Sequence, residues 1–182
     1  MPEESNVELQ YQQFQEIVSY LRRLQSALSS LKVRFTGLSF QQLEELQEEI
    51  VKLKNIAIEY IIQQHEDDDA SRDRLRNDLA SRTLTDVLRL ALIDINSSIT
   101  KLSASEIKIT AQEIENSANV LREATDNVED TVTRLENLKK GFKIAGAIFG
   151  IMSAVSASVA SGNFGGVISS AGNLIAVLEE EA

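Results

Sequence analysis

The sequence predicts an all-α protein: an elongated antiparallel bundle of long heptad-patterned helices, carrying a C-terminal apolar helical hairpin. Three observations lead there. Apolar residues recur every three or four positions from Val7 to Leu135, the period of a helix that buries one face. Helix breakers are nearly absent: the 182 residues hold one proline, Pro2, and aromatic residues are 5%. From Ile144 to Leu178 the chain carries no charged residue, and a glycine-rich turn, Ser161 to Gly166, divides that block in two.

The first helix is expected from about Ser5 to Arg34. Val7, Phe14, Leu21, Leu28 and Phe35 lie seven apart, with Ile17, Leu24 and Leu31 between them. Tyr11 and Val18 widen the stripe, which suits a bundle better than a two-stranded coil. Gly37 ends it, and Ser39 with Gln42 three residues on has the spacing of a capping box. A second helix follows from Phe40 to Gln64 with the stripe Leu43, Leu46, Ile50, Leu53, Ala57 and Tyr60. Its far end, with Ile56, Ile58, Ile61 and Ile62, is apolar on more than one side and reads as the more deeply buried part.

The acidic run after His65 interrupts the pattern, and Asp69 or Ser71 is positioned to cap a third helix reaching Leu102. Its stripe is Leu75, Leu79, Leu84, Leu88, Leu92, Ile95, Ile99 and Leu102. Ser103 or Ser105 opens the fourth. Here the heptad is the most regular: Ile107, Ile114, Leu121, Val128, Leu135, Phe142 and Phe149, with small residues Ala111, Ala118 and Thr125, then Val132, between. Lys139-Lys140-Gly141 has the form of a helix C-terminus, but the heptad passes through it, and one continuous helix from about Ser105 to Ala160 is expected. Comparable helix lengths and short connections favour an up-down arrangement. The chain therefore divides into a four-helix bundle or stalk, 1–140, and an uncharged hairpin, 141–182, ending in Glu179-Glu180-Glu181.

An uncharged hairpin needs a nonaqueous place: the rest of the protein or a bilayer. Its first arm is close to the roughly 20 residues that cross a bilayer core, and its second arm is shorter. The candidate inserting residues are Phe142, Ile144, Ile148, Phe149, Ile151, Val155, Val159, Phe164, Val167, Ile168, Leu174, Ile175 and Leu178. Gly146, Gly150 and Ala154 lay small residues along one face, where another helix backbone can approach closely. Arg134, Lys139, Lys140 and Lys143 precede the block and are suited to a membrane interface.

A helical bundle bearing such a hairpin resembles the α-helical pore-forming toxins of the cytolysin A and haemolysin BL type. The resemblance is architectural, resting on the heptads and on Gly141–Leu178. This chain is shorter and places its hairpin at the C-terminus. The resemblance implies a soluble form with the hairpin tucked away and a membrane form with it released, with lipid, self-association or a partner subunit as the interactions. The alternative is a non-enzymatic coiled-coil scaffold whose hairpin is packed core or an oligomer interface.

Other chemistries find little footing. A net charge of −10 argues against nucleic acid, which needs a basic footprint. Without cysteine there is no disulfide, thiolate metal site or cysteine nucleophile. His65 is the only histidine; with Glu66, Asp67, Asp68 and Asp69 it offers oxygen ligands for a divalent cation but lacks the alternation of an EF-hand, so it reads as a solvated turn. The glycines from 162 to 166 follow no strand and precede no Lys-Ser/Thr, so they form a turn rather than a phosphate loop. No catalytic residue, metal, cofactor or small-molecule substrate is expected. The acidic N-terminus has no signal-peptide core, which points to a cytoplasmic protein or one exported by a signal-independent route.

Overall fold

The computed structural model describes residues 2–65, 68–104, 111–161 and 164–180, and side chains within 12–65, 68–104, 112–158 and 164–180. The described residues form an all-α bundle of eight helices: α1 (Pro2–Thr36), α2 (Phe40–Glu45), α3 (Gln47–His65), α4 (Asp69–Ala80), α5 (Leu84–Ala104), α6 (Ala111–Thr133), α7 (Leu138–Ser161) and α8 (Gly165–Glu179). A single apolar core runs through them, from Ile17, Leu21, Leu24, Leu28 and Leu31 of α1 to Val167 and Leu174 of α8.

Contacts of known register give the helix directions. Tyr60 meets Ser98 while His65 meets Asp94, so α3 and α5 are antiparallel. Lys140 reaches the carbonyl of Leu178, and Ala154 lies beside Gly166, so α7 and α8 form an antiparallel hairpin. Arg23 bonds Asp126 and Glu129, whereas Arg34 donates to the carbonyl of Leu135; α1 and α6 lie side by side in the same direction.

α1 spans its expected range, but the later helices are shorter than the heptads suggest. The cap at Ser39 forms as expected: its hydroxyl accepts from the Gln42 N–H and the Gln42 side chain accepts from the Ser39 N–H. The expected second helix is then divided at Leu46 into α2 and α3. The third is capped by Asp68, one residue before Asp69 and three before Ser71, because Asp68 accepts from the Ser71 N–H at 2.9 Å. It is divided again after Ala80: Ser81 ends α4, and the Thr83 hydroxyl accepts from the Asp86 N–H to start α5. Thr83-x-x-Asp86 has capping-box spacing and was legible, although the apolar stripe runs past it.

The continuous fourth helix is also overturned. α6 ends at Thr133, and Asn137, whose side chain accepts from the Lys139 N–H, opens α7. Gly141 therefore lies inside α7, not past a helix end. A Cβ there would stand 2.9 Å from Leu135 Cδ2 and 3.4 Å from Leu31 Cδ2, so glycine lets the start of α7 close onto α1. Leu135, Phe142 and Phe149 are all buried: the heptad foretold which residues face inward, but not the break in the helix between Thr133 and Leu138. Ile107, and the side chains of Val7, Tyr11 and Ala111, lie outside the described residues.

Candidate functional site

The hairpin packs its apolar residues inward. Phe142, Ile144, Ile148, Phe149, Ile151, Met152 and Val155 of α7 are buried, as are Phe164, Val167 and Leu174 at and along α8. Ile168, Ile175 and Leu178 are half-buried, and the Val159 side chain lies outside the described residues. Burying side chains of this size contributes about 1.5–3 kcal/mol each, so the set sums to on the order of 15–30 kcal/mol. Exposing the hairpin to water would forfeit that burial.

The outer face is of a different kind. Gly146, Ala147, Ser153 and Ala154 are half-buried on α7, with Gly150 and Ala157 exposed; Gly165, Gly166, Ser169, Gly172, Asn173 and Ala176 are exposed on α8. The small face expected at Gly146, Gly150 and Ala154 is thus left largely open. A Cβ at Gly150 would meet nothing within 4 Å, and one at Gly146 would touch only Ile56 Cδ1 at 3.4 Å. Ala154 instead faces Gly166 of α8, where an added Cβ would lie 3.6 Å from its own. Among the described helices, α7 is the one long and apolar enough to cross a membrane by length and composition, and 56% of that stretch is buried here.

The basic residues fasten the hairpin's root. Lys140 donates to the carbonyls of Leu178 and Glu180 at 3.0 and 2.9 Å, satisfying acceptors at the end of α8. Lys143 pairs with Glu180 at 3.1 Å, and Lys139 with Glu49 on α3 at 3.4 Å. Among the described residues Arg134 pairs with Asp130 of its own segment.

A polar chain unforeseen in the sequence joins α7 to the bundle. The Gln64 amide donates to Ser156 at 3.0 Å and its carbonyl accepts from Ser98, which shares a hydrogen bond with the buried Tyr60 hydroxyl. Tyr60 also packs its ring against Phe149. Burial raises the Tyr60 phenol above its ordinary value, with the hydroxyls of Ser98 and Ser156 partly offsetting that. Beside them His65 Nε2 lies 2.7 Å from a carboxylate oxygen of buried Asp94. The readable signal was two i, i+4 polar pairs on apolar stripes, Tyr60/Gln64 and Asp94/Ser98. On α6, the buried hydroxyls of Ser117 and Thr125 have no hydrogen-bond partner among the described residues.

The turn that suggested a cation site does something else. Asp68 is spent on the α4 cap, whose N–H and hydroxyl donors at Ser71 hold its carboxyl below the usual range, and His65 turns to Asp94. Glu66 and Asp67 lie outside the described residues, and among the rest no group of three or more possible ligands gathers. Compared with family models, curated proteins and solved structures, the chain matches none. The geometry defines an all-α bundle with an apolar hairpin folded into its core.

Proposed function

We propose that this is a membrane-active helical protein of the pore-forming type, whose α7–α8 hairpin leaves the bundle core for lipid. One observation carries the reading: between Ile144 and Leu178 the hairpin's water-facing side bears no charge, the exposed Lys143 and Glu179 lying just outside that stretch. Packing explains why Ile148 or Val155 is apolar, because both are buried. It does not explain why Gly150, Ala157, Ser169 and Asn173, which face solvent, are uncharged. An outward position in a soluble helix normally carries Lys, Glu or another polar residue freely, and the rest of this chain does so. A segment that must pass into hydrocarbon cannot, since each charge at the centre of a membrane helix costs about 2.5–3.5 kcal/mol on the insertion scale. The resting fold stores the inward side in the core, and the small outward side lets helices meet closely in the bilayer.

Gly150→Asp tests this directly. The site is open, so the soluble fold should keep its melting temperature, while binding to zwitterionic vesicles and release of an entrapped dye should fall sharply. Ile93→Asp, on the exposed face of α5, is the matched control and should behave as the parent. A parent that ignores vesicles, or a Gly150→Asp protein as active as the parent, overturns the reading and leaves the hairpin as core of a scaffold.

A further inference from the structure

α2 is a helix that buries none of its residues, yet a complete capping box at Ser39 and Gln42 builds it. It turns Phe40 and Leu43 into solvent, 77% and 45% exposed. Backbone hydrogen bonds from Leu46 to Gln42 and from Ile50 to Leu46, both 2.9 Å, keep α2 and α3 close to one helical register. At 3.6 residues per turn, Phe40, Leu43, Gln47 and Val51 then share one outward face about 16 Å long. Val51 is 50% exposed. Core packing does not require this stripe, because α3 buries Leu53, Ala57 and Tyr60 on another side.

The flank of the stripe states the partner's charge. Glu44 and Glu48, both exposed, follow one edge a turn apart; Glu48 pairs with Lys52 of its own helix at 3.2 Å, and Glu44 has no ion-pair partner among the described residues. We propose that this face docks a cationic amphipathic helix of another protein, its apolar residues at i, i+3/i+4 and i+7 lying on Phe40, Leu43 and Val51 and its Lys or Arg flank beside Glu44 and Glu48. A second copy is disfavoured, because a symmetric interface would bring two sets of Glu44 and Glu48 together in a chain of net charge −10. An anionic bilayer is disfavoured by the same charge. The face is separate from the hairpin, so it stands or falls independently of the membrane reading.

The probe is a fluorescein-labelled synthetic Leu/Lys amphipathic helix of about 18 residues, followed by anisotropy at low and physiological salt. The parent protein should bind it, and Phe40→Ser should weaken binding roughly tenfold. Glu44→Gln with Glu48→Gln should weaken binding at low salt and flatten its salt dependence. Ile93→Ser, an exposed apolar residue elsewhere, should bind as the parent, and a permuted peptide of equal composition should not bind. Because α2 buries nothing, melting temperatures should agree across the set, and a variant that melts early is replaced by Leu43→Ser. The proposal is overturned if the parent does not bind, if the stripe variants bind as the parent, or if Ile93→Ser or the permuted peptide behaves like the stripe. It is equally overturned if Phe40→Ser instead abolishes self-association on sizing or binding to vesicles, which would make a second copy or lipid the occupant.

Discussion

The ring of Phe35 stacks on that of Phe142, with centroids 4.1 Å apart and planes 10° from parallel, and this pair ties the last turns of α1 to the first turns of α7. Both residues are buried, beside the Gly141 contact with Leu31. The hairpin's root is thus fixed by aromatic packing, with Lys140 and Lys143 bonding the end of α8 outside it. Phe142→Ala should therefore cost about 3–5 kcal/mol, the range for a truncated core aromatic. Chemical denaturation measures it; a change below about 1 kcal/mol would mean the stack contributes little.

Leu121 sits fully buried on the α6 face that packs against α1 and α8. Leu121→Ala should destabilise by roughly 2–5 kcal/mol, because well-packed neighbours on two sides limit collapse into the space. An unchanged denaturation midpoint would place that face outside the core.

Two glycines of one helix should respond oppositely. Gly150 faces open space, so Gly150→Ala should raise stability by up to about 1 kcal/mol through helix propensity. Gly141→Leu should lower it by about 1–3 kcal/mol, because new atoms enter space held by Leu135, Leu31 and Phe35. Thermal melts of the two variants side by side decide it, and a shared sign would contradict the packing.

The α4 cap makes a pH-dependent contribution. The Asp68 carboxyl is held below its ordinary value by the Ser71 N–H and hydroxyl, so the unfolded chain takes up a proton there first as pH falls. Its stabilisation is full above the unfolded-state value and is lost as pH drops through the folded one. Glu59, lowered by its hydrogen bonds from Arg76, works in the same direction between α3 and α4. Asp68→Asn keeps an acceptor without the titration, so its melting temperature should fall less than the parent's on acidification from neutral pH. Parallel curves for the two proteins would remove Asp68 from the acid response.

Much of this architecture was legible because burial in a helix bundle is a local, periodic property. The heptad from Ile114 through Leu121, Val128, Leu135 and Phe142 to Phe149 named inward residues correctly, even across the break after Thr133. The breaks themselves were hidden, because an apolar stripe continues through a turn whenever both flanking helices face one core. Asn137, Thr83 and Asp68 restart helices with one or two side-chain hydrogen bonds each, a weak signal beside seven-residue repeats.

The sequence by itself determined that the chain is helical, which faces are apolar, and that Ile144 to Leu178 carries no charge. Only the tertiary structure decided that this block is folded into the shared core, that Gly150 looks outward, and that Lys139, Lys140 and Lys143 hold the hairpin's root. It alone brought Ser156, Gln64, Ser98 and Tyr60 together from three helices, and left Phe40 and Leu43 uncovered. The physical reason is that periodicity reports a residue's face on its own helix, whereas what covers that face depends on contacts between residues far apart in the chain.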